Sequence, residues 1–315
     1  MTTATAAGKS SAGKKRYDVS QISAGSNLAI NIFFWIYSAF CVLPLLLIVA
    51  VSLSDEKSVL IGGYKLWPEK FSVAAYDFLL NDYTAILKSY GVSIFVTVVG
   101  TLISLAIMAM YAYPISRKDF KHHGLFSFIV FFTILFNAGL VPFYITYKQG
   151  LGLYNSVLAL MLPFFVQGFF VIVLRTFFTN SIPMALMESA KIDGAGEFRV
   201  FWQIVLPLSL PVLASVGLLC TLNYWNDWFL SLLFIREDGP MSIQFRMYRT
   251  LLDIQFLSSN TQAYSAIMKA NPNFTIPGET ARMAMSVVGI GPIIFVYPFL
   301  QRYFIQGLTV GAVKG

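Results

Sequence analysis

Between Ala29 and Ser54 the chain runs without a single Asp, Glu, Lys or Arg. That property fixes the solvent. A helix of about 20 apolar residues crosses the roughly 30 Å hydrocarbon core of a bilayer. Lipid offers the backbone no partner, so such a segment must satisfy its own N–H and C=O groups as a helix. Five further runs follow, Val92 to Ser116, Leu125 to Tyr147, Leu151 to Leu174, Leu208 to Phe234 and Met283 to Leu300. The expectation is an all-α integral membrane protein with six transmembrane helices. Composition agrees, with 57% hydrophobic and 12% charged residues against roughly 25% charged in soluble domains.

Residues 1–28 are rich in Ser, Ala and Lys, with Lys9, Lys14, Lys15 and Arg16. They read as a disordered basic cytosolic arm. The run that follows is too long for the core of a secretory leader and more spans come after it, so it is a first span and residues 29–315 are the transmembrane domain. Short-loop Lys and Arg mark the cytosolic side. The arm and the loop holding Arg117, Lys118 and Lys121 therefore face the cytosol, as do both termini, while the long connections near 55–88 and 235–282 face outward. The first is aromatic and charged, as suits a short interfacial helix. The second is polar and punctuated by Asn and Pro, so it reads as a long outer loop.

Several chemistries are excluded on the way. The net charge of +7 comes from no dense basic patch with interleaved aromatics, so nucleic acid is not the partner. Cys41 and Cys220 lie inside apolar runs and pack as small hydrophobes. His122 and His123 are adjacent in a basic loop and read as solvated surface, and no metal site is expected. No G-x-x-x-x-G-K-[ST] phosphate loop and no nucleophile–base pair occurs, so the chain is not an enzyme and binds no ATP by that route. Within the spans the one ionisable side chain is Asp227, in Asn223-Tyr224-Trp225-Asn226-Asp227-Trp228. A proton- or sodium-coupled transporter needs more than that near the midplane. Energy has to enter from outside the membrane.

The stretch from Met187 to Pro211, MESAKIDGAGEFRVFWQIVLPLSLP, offers a place for it. Residues 180–207 form a polar loop between two spans. Pro183 suits the first turn of a short helix, Asp193-Gly194-Ala195-Gly196 makes a turn that glycine permits, and Phe198, Phe201, Trp202 and Val205 lie on one face of a second helix. The segment resembles the E-A-A-x3-G-x9-I-x-L-P signature of ABC importer permeases. Glu188, Ala190, Gly194, Ile204, Leu206 and Pro207 fall in register, and Ser189 replaces the second small residue. Trp225-Asn226-Asp227-Trp228 is similar to the W-N-[DE]-[FW] of sugar-importer permeases. The ending QRYFIQGLTVGAVKG is similar to the tail of the maltose-type second permease, and the region around the sixth span looks like the branch that handles oligosaccharides from complex polysaccharides.

The resemblance implies the type I permease fold, with a two-helix coupling loop in the cytosol of a bacterium and the chain in the cytoplasmic (inner) membrane. It implies three kinds of partner besides lipid: a second homologous permease, two ATPase subunits that bind ATP and Mg, and an external sugar-binding protein. No cofactor is implied on this chain. By position, Glu188, Ser189, Ala190 and Asp193 would meet an ATPase and Gly194 would hold the elbow. The face from Phe198 to Val205, including Phe201, would pack the knob onto its own helices, with Ile204, Leu206 and Pro207 leading into the fifth span. The tail 302–315, with Gly307, Gly311 and Lys314, would reach the ATPase interface. For Asn223, Tyr224, Trp225, Asn226, Asp227 and Trp228 two readings stay open, a sugar path or a helix end anchored by interfacial Trp. Import of another solute, or a membrane scaffold or enzyme, are the remaining alternatives for the chain.

Overall fold

A computed structural model of the protein describes residues 23–260, 278–291 and 293–295, with single positions 262, 265 and 269 between them. Most of the basic arm, part of the sixth span and the tail with Gly307, Gly311 and Lys314 lie outside the described residues. Residues up to Leu47 and residues from Ile48 onward are two separate units. The first contains most of α1 (Ala24–Ser52), a helix apolar around its circumference. It starts before Ala29, so the end of the expected arm, residues 24–28, is helical.

The second unit is organised on α4 (Tyr83–Ser116), which begins earlier than the expected Val92 because Asp82 caps it, accepting from the Ala85 N–H at 3.2 Å. One side of α4 is a stripe of small residues, Ser89, Ser93, Thr97, Gly100, Thr101 and Ser104, all buried. Small side chains let helices approach closely where no hydrophobic force drives them together. Against α4 pack α8 (Gly168–Ser181), α12 (Leu210–Asn226) and α14 (Ile243–Ser259).

The third, fourth and fifth expected spans are broken rods. Only α1 and α4 are unbroken and long enough to cross a membrane by themselves among the described residues, and three bent pairs supply the next candidates. The third span divides into α5 (His123–Leu135) and α6 (Leu140–Ile145, extended by a wider turn to Gly150), which meet at 115°. There the Asn137 carboxamide accepts from the Gly139 N–H at 2.8 Å and Gly139 takes φ +87, a conformation that turns the chain. The fourth begins only at α7 (Val157–Met161), bends 47° and runs on to Ser181, beyond the expected Leu174. The fifth stops at Asn226 and resumes as α13 (Phe229–Phe234), whose Leu230 N–H donates to the Asp227 carboxylate at 3.2 Å.

The two long connections, 55–88 and 235–282, also hold more helix than their composition suggests. The first holds α2 (Glu56–Gly62) and α3 (Ala74–Leu80). The second is not a loop over its first half: α14 is capped by Ser242 and buries Ile243, Met247 and Ile254 along one stripe. The sixth span is described through α15 (Glu279–Ile290), onto which α3 and α14 pack. Its start is tied to α2 by Glu56, whose carboxylate accepts from the backbone N–H of Glu279 (2.9 Å) and Thr280 (3.0 Å) and from the Thr280 hydroxyl (2.6 Å). These are orphan donors of a helix N-terminus. Glu56→Ala is expected to cost roughly 2 kcal/mol of stability, read as a lower unfolding midpoint of the detergent-purified protein, and Glu56→Gln should recover part of it.

Candidate functional site

The knob begins at Pro183 and its first helix is α9 (Met184–Ile192). Gly194 sits at φ +81, and the turn closes with the Ala195 N–H donating to the Ala190 carbonyl at 2.9 Å. The second helix is α10 (Glu197–Val200), a wide turn over Phe201–Val205, and α11 (Leu206–Leu208), after which the chain bends 79° into α12. Two of the four residues expected to pack do so: Phe201 and Val205 are buried together with Val200. Phe198 and Trp202 are 74% and 56% exposed. The helix is rotated from the expected register, so the edge through Val200, Phe201, Ile204 and Val205 faces the core, and the widened turn at Phe201–Val205 carries it there. Phe201 lies 5.3 Å, ring to ring, from Tyr113 of α4.

The tip is open. Glu188, Ser189, Asp193 and Gly194 are exposed, Ala190 is half-buried, and Ile192 is 86% exposed. Leu206 is half-buried and Pro207 exposed where the chain approaches α12.

Behind the tip lies a cluster of charges that the sequence reading did not single out. Arg117 follows the last turn of α4 with its side chain 8% exposed. Its Nε donates to Asp119 Oδ1 at 2.8 Å, its second terminal nitrogen pairs with the same carboxylate, and Nη1 reaches both Glu197 and, at 2.9 Å, the Tyr113 hydroxyl. Lys191 Nζ is 2.7 Å from Glu197 Oε1 and 3.6 Å from Asp119 Oδ2. The bond from Arg117 is the main reason the Asp119 carboxyl is held below its ordinary range. Burial works to raise Glu197, but bonds from Lys191 and Tyr113 and the charge of Arg117 outweigh it and hold that group low as well. Arg117 is raised, chiefly by Asp119. Depressed carboxylates contribute stability that is present above their unfolded values and lost as pH falls through the folded ones. The Asp119 and Glu197 carboxylates are therefore held in their charged form in the neutral range.

The other expected site is split by the fold. Tyr224 and Trp225 are buried, 3% exposed each. The Tyr224 hydroxyl lies 2.8 Å from Ser104 Oγ and 3.0 Å from the Met161 carbonyl, and the Trp225 indole donates to the Gly289 carbonyl at 3.1 Å. Asn223, Asn226 and Trp228 are exposed, and the Asn223 amide donates to Gln167 Oε1 at 2.9 Å. Asn226 stands between two clefts. One, of about 350 Å³, is lined by Asn223, Asp227 and Trp228. The other, of about 440 Å³, is lined by Gln244, Tyr248 and Arg282. Trp228 and Tyr248 rings are 4.6 Å apart. Planar amides beside aromatic faces are suited to hydroxyl-rich ligands. Gln244, Tyr248 and Arg282 were missed because they belong to helices hidden in a polar connection and at the start of the sixth span.

Residues 22–310 match the profile of the binding-protein-dependent transport system inner membrane component family. The chain belongs to that family. It is 37% identical over 284 residues to the polygalacturonan/rhamnogalacturonan transport system permease protein YtcP of Bacillus subtilis (strain 168), a match covering 90% of this chain and 96% of that protein. It is 28% identical to the arabinooligosaccharides transport system permease protein AraQ of the same organism, over 91% of this chain and 96% of the relative. Among solved structures it resembles a chain from the crystal structure of a bacterial ABC transporter involved in the import of the acidic polysaccharide alginate. The TM-score is 0.74 and the identity 28%, over 90% of this chain and 99% of that one. This family member is a permease subunit of an ABC importer, a transport component and not an enzyme. Such permeases work with a second permease, ATPase subunits and a binding protein.

Proposed function

We infer that this permease forms one half of the membrane pathway of an ATP-driven importer for oligosaccharides released from complex polysaccharides. The knob at 180–207 docks into a cleft of a partner ATPase, which holds the ATP and Mg. Both termini lie in the cytosol, and the connection through α14 faces an external binding protein. Closure of the two ATPases moves the knob and turns the cavity between the two permeases outward, and hydrolysis resets it, a rigid-body exchange between two states that ATP biases. The substrate class is supported by the similarity to permeases named for polygalacturonan/rhamnogalacturonan and arabinooligosaccharides. Asn223, Asn226 and Trp228 are the pathway side chains, joined by Gln244 and Tyr248, while Tyr224 and Trp225 hold the helix that presents them.

The observation that carries the coupling role is the open tip. Ile192 is 86% exposed and Glu188 is exposed with no ion pair among the described residues, which leaves both side chains available to a partner subunit. Ile192→Asp is expected to weaken co-purification of the ATPase subunits by about tenfold or more while the permease remains inserted. Reconstituted with its partners, the parent should show binding-protein-stimulated, vanadate-sensitive ATP hydrolysis and import labelled oligogalacturonides or arabinooligosaccharides. Undiminished ATPase recovery with Ile192→Asp overturns the docking role, and uptake confined to non-carbohydrate solutes overturns the substrate class.

A further inference from the structure

We propose that Arg117, Asp119, Lys191 and Glu197 form a charged strut that fixes the orientation of the knob and passes its displacement to α4. The proposal rests on the knob being the ATPase-docking element. The two helices of the knob are held very differently. The second buries Val200, Phe201 and Val205 in the core, whereas α9 has no fully buried residue. Half-buried Met187 and Ala190 touch the core cluster, but such contacts are non-directional and leave a short helix free to roll. Direction comes from Lys191 in the last turn of α9. Its ammonium reaches across the Gly194 elbow to Glu197 and sideways to Asp119.

Arg117 completes the strut. Its planar fork meets the Asp119 carboxylate with two nitrogens and Glu197 with a third, a geometry that fixes angle as well as distance. Tyr113, one turn earlier on α4, donates to Glu197 Oε2 at 2.9 Å. The Arg117 side chain is 8% exposed and its carboxylates Asp119 and Glu197 are 44% and 53% exposed, so removing Glu197 leaves Arg117 paired with Asp119 but cuts its tie to the second helix of the knob. Four segments are thereby joined: the end of α4, the turn after it, α9 and α10. Of these, α4 is the helix against which α8, α12 and α14 pack. A knob rigidly joined to α4 moves the bundle, and a loose one yields without moving it. Lys191 and Glu197 fall in the unspecified positions of the coupling signature, and Arg117 lies far from it in the chain, so the signature does not contain the strut.

These are positioning residues, and the test reads position and coupling separately. Spin labels at Leu186→Cys in α9 and Lys121→Cys in the turn after α4 are placed in a Cys41→Ser, Cys220→Ala background. The distance between them is measured in the assembled importer with cysteine-free partners in lipid nanodiscs. The parent should give one narrow distribution. Arg117→Ala and Glu197→Ala should broaden it, and Glu197→Asp should restore it. In the same variants the ATP hydrolysed per labelled oligogalacturonide imported should rise about tenfold. Distributions as narrow as the parent in both alanine variants overturn the strut. Broadened distributions with an unchanged ratio overturn its role in transmission. If the parent permease itself recruits no ATPase, the docking reading fails, and the distance measurement on the permease alone still decides whether the strut orders the knob.

Discussion

Gly194→Val is expected to lower uptake by about tenfold or more with the permease still inserted at parental levels. Gly194 has φ +81, and a Cβ built there would meet no atom within 4 Å. The penalty is therefore conformational, not steric crowding from neighbours. An L-residue in the left-handed region costs about 1–2 kcal/mol, and a β-branched side chain is the least tolerant of it. The elbow has an escape, because reopening the turn relieves the strain at once. Reopening also breaks the Ala195-to-Ala190 hydrogen bond and separates Lys191 from Glu197. Two further substitutions set the scale. Asn tolerates positive φ, so Gly194→Asn should retain most uptake. Gly196, two residues on, has φ −72 and open space around it, so Gly196→Ala should be nearly silent. Equal uptake for Gly194→Val and Gly196→Ala in proteoliposomes, at equal insertion, would mean that the left-handed elbow has no part in coupling.

The elbow also shows what a sequence can and cannot disclose. Its glycine was legible because the turn needs a backbone that side chains resist, and the spacing from Glu188 to Pro207 placed it between two helices. The spans were legible because lipid forces every uncharged run into helix. What stayed hidden depended on partners remote in the chain. Arg117 served as one more topological charge, and nothing near it in sequence announces Glu197. Phe198 and Trp202 share a face with Phe201 and Val205 by spacing, but the wide turn at Phe201–Val205 rotates the packed edge away from them. The breaks in the third, fourth and fifth spans turn on local devices, such as the Asn137 carboxamide on the Gly139 N–H and the Asp227 carboxylate on Leu230. Hydropathy averages over such devices. Helix α14 was concealed the same way: its stripe of Ile243, Met247 and Ile254 is sparse within a polar stretch.

Gly100→Leu should be the most damaging change to the folded permease. A Cβ at Gly100 would stand 2.7 Å from Cζ of the Tyr224 ring and 2.9 Å from Cε1, closer than real contacts allow. The ring has nowhere to go. Its hydroxyl is held between Ser104 Oγ and the Met161 carbonyl, and Phe164 packs edge-on with ring centres 5.4 Å apart. The added side chain must therefore force α4 and α12 apart, and overpacking of this kind costs about 1–3 kcal/mol or more. The measured outcome should be loss of the monodisperse peak in detergent and a lower unfolding midpoint. Combining Gly100→Leu with Tyr224→Ala should recover part of the loss, since the two side chains compete for one space and contacting residues are not additive. Tyr224→Phe keeps the ring and removes the hydroxyl bonds, for a cost of about 1 kcal/mol. It should leave uptake near parental once the protein is folded. That pair of results separates the two readings of the polar end of the fifth span. A Tyr224 that only joins α4 to α12 answers to packing and stability. A Tyr224 in the sugar path would lose uptake in the phenylalanine variant with no change in midpoint, whereas the same loss at Asn226→Ala is expected from a side chain that already faces both clefts.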